Sequence, residues 1–147
     1  MNDLESIIRE NEAERQRLRE LTARLTDEDL GTRLSNGWTV AGALAHLAFW
    51  DWNQLSVLRQ WEPGHEKVIP MDVQAVNEAI HQSSKKIPPR QAITMALLAA
   101  NEVDGEVERI PKELADLILL KGQERLIHRA PHRRNHLDKI EKSLRHS

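Results

Sequence analysis

The segment WTVAGALAHLAFWDW, residues Trp38 to Trp52, is the most apolar stretch in a polar chain of 147 residues, and His46 stands near its middle. Its apolar residues recur at spacings of three and four, which predicts a helix with one buried face. A buried neutral imidazole needs a partner for each ring nitrogen, because a buried unpaired polar group costs about 1–3 kcal/mol. The partner of His46 is backbone, a carboxylate or a metal ion, and the sequence on either side bears on the choice.

Helical spacing continues on both sides of this stretch, and no segment alternates convincingly with a period of two. The turn formers of LTDEDLGT close the first helix, and Thr39 is placed to cap the second. The predicted elements are helices over 4–25, 40–61 and about 90–110, a last helix from about Pro131, a short amphipathic piece from Asp72, and a short turn or helix after Pro111, interrupted by Gly122.

Four main helices predict an all-α protein, a four-helix bundle formed by the whole chain, 1–147, as one domain. The break EPGHEKVIPMD lies between the second and third main helices. The whole connection there is about 30 residues, far longer than antiparallel neighbours need. That length permits a crossover, with the second and third main helices parallel.

Composition excludes several classes of function. The chain has no cysteine, so disulfide frameworks, zinc ribbons and thiol nucleophiles are excluded. The charged N-terminus lacks the pattern of a signal peptide, and the apolar run Val40–Trp50 is too short to span a bilayer. We therefore expect a soluble, cytoplasmic protein with no membrane partner.

Charge is unevenly distributed although the net charge is only −2. Residues 121–147 carry eight Lys or Arg against three acidic residues. A basic end can favour an anionic ligand, but the interpretation we favour is a solvated helix face whose charges pair with acidic residues elsewhere. Nucleic acid is an unlikely partner, because the last helix has no recognised reading motif and no aromatic residues near it.

The stretch HRAPHRRNH places His128, His132 and His136 at successive spacings of four. Side chains four apart stack on one helix face, so two imidazoles there can bind one ion. His132 and His136 follow Pro131 and are the more securely helical pair, and both flank the apolar stripe, as His46 does on its own helix. Three neutral histidines and an open fourth position are the usual layout of a catalytic zinc site. The alternatives are a packed core histidine at 46 and a solvated pair at 132 and 136.

Two motifs resemble a known family. GWTVAGALAHLAFWD, residues 37–51, is similar to the second-helix signature of the DinB/YfiT-like superfamily, and HRRNHLDKIEKSL, residues 132–144, resembles its final-helix motif. The intervening VNEAI and PPRQAITMALLAANEVDGEVERIP are also similar to members, so the resemblance covers nearly the whole chain.

This resemblance implies a four-helix bundle in up-down-down-up order, often a homodimer. It also implies a divalent metal, zinc or nickel, with His46, His132 and His136 as ligands. Some members are transferases that use a low-molecular-weight thiol such as mycothiol or bacillithiol, and the maleylpyruvate isomerase branch belongs with them. Others resemble self-resistance proteins that disarm reactive small molecules.

The expected function is that of a metal-dependent enzyme that transfers a thiol cofactor to, or hydrolyses, a small electrophilic molecule. The alternative is a non-catalytic metal- or ligand-binding bundle. No general base can be assigned. Asp51 lies five residues after His46, about 140° round the helix, so we do not expect it to contact that imidazole, and the alternative is an N-terminal or surface role.

The remaining histidines and the tryptophans receive structural roles or none. His128 is expected to be structural or on the surface, and His65, His81 and His146 receive no role. The tryptophans at 38, 50 and 52 are expected to pack in the core or at a dimer interface. Trp50, on the same side of the helix as His46, could also form the wall of a pocket.

Overall fold

A computed structural model of the chain describes residues 3–61 and 71–145. His65, His146 and most of the predicted break between the second and third main helices lie outside this part of the chain. The described residues form no strand, only an isolated bridge between Arg33 and Thr39. They form helices α1 (Leu4–Arg24), α2 (Asp27–Gly31), α3 (Val40–Gln60), α4 (Val73–Ser84), α5 (Pro89–Arg109), α6 (Lys112–Leu120) and α7 (Ala130–Arg145), with a 3₁₀ helix at Glu124–Leu126. The all-α prediction is confirmed.

Local signals explain most of the helix boundaries. The Thr39 side chain accepts a hydrogen bond from the backbone N–H of Gly42, at 2.9 Å, as the predicted cap of α3. The backbone of Gly122 has φ of 74°, a left-handed conformation that favours glycine, and α6 ends just before it.

The sequence analysis was wrong about LTDEDLGT, which contains a helix and not only a turn. Thr26 and Asp29 form a capping box that starts α2: the Thr26 hydroxyl accepts from the Asp29 N–H and the Asp29 carboxylate accepts from the Thr26 N–H, both at 3.0 Å. Two satisfied N-terminal donors make even this short helix favourable.

The four long helices, α1, α3, α5 and α7, surround the core. Helix α3 packs most extensively against α5, whereas α1 contacts both α5 and α7, and α3 contacts α7 only lightly. Side chains such as Leu44, Ala96 and Leu137 are almost completely buried between them. Among the described residues, none of the helices combines the length and apolar character needed to cross a bilayer.

Candidate metal centre

His46 lies on the side of α3 that faces α7. Its residue surface is 8% exposed. The ring of Trp38 meets it edge-on, with centroids 5.3 Å apart and planes at 86°, and Trp50 lies one turn further along α3 with its centroid 6.5 Å away. Aromatic rings therefore cover part of the imidazole of His46, and most of the residue is buried.

The two histidines of α7 meet His46. The ring centroids of His132 and His136 are 4.8 Å apart, one helical turn along the same face. The His46 centroid is 5.3 Å from that of His132 and 4.6 Å from that of His136. One ring nitrogen from each residue can be chosen so that all three lie within 4.8 Å of one another. The structure thus brings together the three residues that the sequence singled out.

Burial keeps all three imidazoles neutral. Desolvation, followed by the positive charge of Lys139, lowers the pKa of His46 to about 4. Desolvation lowers the pKa of His132 to about 2, and the positive charge of Arg129 is the next largest cause. Desolvation, then His46 and Lys139, lower the pKa of His136 to about 4. At neutral pH each ring therefore retains an unprotonated nitrogen with a lone pair.

One nitrogen in this group is unsatisfied. The Nδ1 atom of His46 is buried and has no hydrogen-bond partner in the part of the chain that the structure describes. Among residues 3–61 and 71–145, neither a backbone group nor a carboxylate is a partner of His46 Nδ1. A buried neutral imidazole beside two others is a donor set that suits zinc, nickel or iron. The residues present fit a divalent metal.

Two cavities meet at the histidines. The larger, about 650 Å³, opens from His46 and His132 toward Trp50, Asn77 and Arg125. The smaller, about 350 Å³, shares His46, Asn77 and His132 with it. A volume of several hundred cubic ångströms is typical of sites for small molecules.

The indole of Trp50 forms part of the wall of the larger cavity, as predicted, and is held there because its Nε1–H donates to Asn77 Oδ1 at 2.9 Å. Trp38 lines the smaller cavity and stacks on His81, with centroids 4.4 Å apart. Trp38 and Trp50 are half-buried and line cavities, so neither packs in the core; packing at a dimer interface, the other expectation, stays a prediction.

Beneath the histidines lies a buried network of charges. Asp51 is 1% exposed, so the surface role suggested for it was wrong. Its two oxygens accept from Arg129 Nε at 2.9 Å and from Arg133 Nη2 at 3.2 Å. Arg133 also donates two hydrogen bonds to Asp104, both at 2.8 Å. Although burial disfavours its charge, the carboxylates of Asp51 and Asp104 raise the pKa of Arg133.

His128 has a structural role at the edge of the larger cavity. Its Nδ1 lies 2.9 Å from a carboxylate oxygen of Glu124, and its Nε2 lies 2.9 Å from a carboxylate oxygen of Glu10. It is absent from the three-histidine group, as expected. Glu124 holds the ring by a hydrogen bond from Nδ1, whereas the pair formed by Nε2 and Glu10 is close but lacks hydrogen-bond geometry.

The basic end of the chain pairs with acidic residues from other helices. Arg129 and Arg133 are buried against carboxylates, and Arg134 lies 3.2 Å from Glu14. These pairs support the predicted pairing with acidic residues elsewhere, but the prediction of a solvated face was wrong for Arg129 and Arg133, which are buried.

Sequence reasoning missed most of the buried network, although a signal for it was present. Arg133 lies four residues before Leu137 and seven before Ile140, and Asp104 lies four after Ala100 and three before Val107. Charged residues at core spacing on two helices indicate a buried ion pair. No comparable signal marks Asn77, which accepts from Trp50, or Asn11, which accepts from the backbone N–H groups of Arg129 and Ala130, because these partners are distant in sequence.

In the comparison with protein families, the sequence model of the DinB superfamily matches residues 10–141. Comparisons with curated proteins and with solved structures found no match. The family match spans both histidine motifs and most of the chain.

Proposed function

The chain belongs to the DinB superfamily, and from this we propose that it is a metal-dependent enzyme whose divalent ion is held by His46, His132 and His136. The observation that carries the proposal is the convergence of three neutral imidazoles, with nitrogens within 4.8 Å of one another. The unsatisfied Nδ1 of His46 supports it further, since such a group is costly unless it has a partner.

Zinc or nickel is the proposed ion. Imidazole ligands suit both metals, and three of them leave at least one coordination position for another molecule. When bound, a divalent ion at this point lowers the pKa of a thiol or of water, or polarises a carbonyl. The chain has no cysteine, so a reacting thiol has to come from a low-molecular-weight cofactor.

We propose that this thiol reacts with a small electrophilic molecule. The thiol sulfur forms a bond to the electrophilic carbon, the thiol proton passes to solvent, and the leaving group departs with the electron pair of the broken bond. The larger cavity, about 650 Å³, adjoins His46 and His132 and has space for both reactants. Its indole wall, Trp50, offers a flat apolar surface for the organic part of either one.

Hydrolysis and binding without turnover are the alternatives that the test must separate. We would load the protein with Zn²⁺ or Ni²⁺ and supply bacillithiol, mycothiol or cysteine with a panel of alkyl and aryl halides and epoxides, measuring free thiol. Metal-dependent thiol loss that His132→Ala abolishes would establish the transferase. Ester or amide cleavage without thiol loss would establish a hydrolase, and a metal-bound protein inactive in both assays would establish a binding bundle.

Three further properties belong to this proposal. The four long helices are proposed to run up-down-down-up, supported by the long connection between α3 and α5, which includes α4. A homodimer is proposed from the family, to be tested by light scattering. A cytoplasmic location is proposed because the chain lacks cysteine, as proteins of reducing compartments commonly lack disulfides.

A further inference from the structure

The three-histidine group joins two helices that pack less closely against each other than α3 packs against α5. His46 lies on α3, and His132 and His136 lie on α7, yet α3 contacts α7 far less than it contacts α5. A metal site needs its ligands held within about 0.5 Å of their productive positions. Because α3 and α7 approach each other less closely than α3 and α5 do, side-chain links between α3 and α7 bear on this precision.

Asp51 provides such a link. It lies on α3 five residues after His46, which is about 7.5 Å along the helix axis. Its Oδ1 accepts from Arg129 Nε at 2.9 Å and its Oδ2 accepts from Arg133 Nη2 at 3.2 Å. The two arginines are one turn apart and flank His132, so one carboxylate fixes the height and rotation of the start of α7 against α3.

The start of α7 is also held from α1. Asn11, 1% exposed, accepts at Oδ1 from the backbone N–H groups of Arg129 and Ala130, both at 2.9 Å, and donates from Nδ2 to the Ile127 carbonyl at 2.8 Å. These contacts satisfy donors at the helix N-terminus that have no partner within the helix. They fix α7 relative to α1, but only Asp51 connects it to the helix of His46 through a buried carboxylate among the described residues.

Asp51 also balances charge beside the site. The Arg129 Nη2 atom lies 3.3 Å from His132 Nδ1, so a full guanidinium charge stands next to one proposed ligand. A cation at that distance opposes a divalent metal, and the buried carboxylate of Asp51 offsets it. Loss of the Asp51 charge would therefore weaken metal binding through both position and electrostatics.

We infer that Asp51 is a positioning residue for the three-histidine site, acting through Arg129 and Arg133 to hold His132 and His136 against His46. The inference rests on the proposed function, because it assumes that these histidines bind a metal. The site then includes Asp51 and its two arginine partners as well as the three histidines, and the Asp51 carboxylate on α3 sets the geometry of the ligands on α7.

The test compares two buried carboxylates that share Arg133. Asp51→Asn should weaken Zn²⁺ binding by about 10–100-fold, the effect typical of residues that orient metal ligands. Asp104→Asn is the matched control, because Asp104 is equally buried and bonds to Arg133 but lies on α5, which carries none of the histidines. It should lower stability while changing the Zn²⁺ affinity of the folded protein by less than about threefold.

Affinity would be measured by competition with a chromophoric chelator at a temperature where circular dichroism shows each variant folded. The visible spectrum of bound Co²⁺ gives a second readout, because its bands report ligand geometry and not stability. Asp51→Asn should change the Co²⁺ bands and Asp104→Asn should leave them unchanged. Equal effects of the two substitutions on affinity, or no effect of Asp51→Asn, would overturn the inference.

A double variant covers the case in which Asp51→Asn does not fold. Asp51→Met with Arg129→Met removes a carboxylate and a guanidinium together, so no buried charge is left unpaired and Arg133 keeps Asp104. A loss of Zn²⁺ affinity of at least about tenfold would support the positioning role, and a change below about threefold would overturn it. Wild-type protein that binds no Zn²⁺ would instead overturn the proposed function itself.

Discussion

Acid should unfold the metal-free protein through its three-histidine group. Burial and nearby charges lower the pKa of His46 and of His136 to about 4, whereas an imidazole in the unfolded chain titrates near its ordinary 6.5. Between these values the unfolded chain takes up protons that the folded protein does not. Stability is therefore complete above about pH 6.5 and is lost as pH falls toward 4.

The size of the loss follows from the pKa values. One imidazole whose pKa falls from 6.5 to about 4 makes folding about 3 kcal/mol less favourable at pH 4 than at pH 7. A second group of the same kind brings the loss to about 6 kcal/mol, and His132, whose pKa is lowered further, adds to it, against a total stability of roughly 5–15 kcal/mol for an ordinary protein. We expect acid unfolding of the metal-free protein with a midpoint between about pH 4 and 6.

The assay is urea unfolding of chelator-treated protein at pH 7, 6, 5 and 4, followed by circular dichroism. His46→Leu is the control, because leucine has a similar volume and does not titrate. The cations that act on these rings stay charged through this pH range and are retained in both proteins; they are Lys139, Arg129 and Arg133. His46→Leu should lose about 3 kcal/mol less than wild type between pH 7 and pH 4. Identical pH dependence in the two proteins would refute the reasoning.

Three further substitutions test the fold. Arg133→Met leaves Asp51 and Asp104 partly unpaired in the core and should lower the free energy of unfolding by about 3–5 kcal/mol in urea; a loss below about 1 kcal/mol would contradict a buried network. Asn11→Ala removes three buried hydrogen bonds and should cost about 1–3 kcal/mol, a fall of several degrees in the melting temperature; an unchanged melting temperature would show that α7 needs no such anchor. Thr26→Ala should cost about 1 kcal/mol by loss of the capping box, whereas Thr26→Ser should be close to neutral; equal losses would argue against the cap.

Much of the fold was predictable because helix signals are local. Spacings of three and four mark the long helices, and Thr39 marks the start of α3 within its own first turn. The segment at Asp27–Gly31 was harder, because a five-residue helix is too short to show periodicity and only the capping pair at Thr26 and Asp29 reveals it.

The candidate site was predictable only in part, where its signals are local in the sequence. His132 and His136 share a helix face by spacing alone, and His46 stood out because its neighbours are apolar. The partners of Asp51 were not predictable, since Arg129 and Arg133 are about eighty residues away and no local pattern fixes which carboxylate a buried arginine meets. Long-range pairing of this kind depends on how α3 and α7 pack.

The metal content of the untagged protein tests the central claim most directly. Elemental analysis of wild type, His46→Ala and His132→Ala after exposure to Zn²⁺ or Ni²⁺ and removal of free ion should give about one metal per chain in wild type and almost none in either variant. Wild type that takes up neither ion, or variants that retain as much metal as wild type, would contradict a site built from His46, His132 and His136.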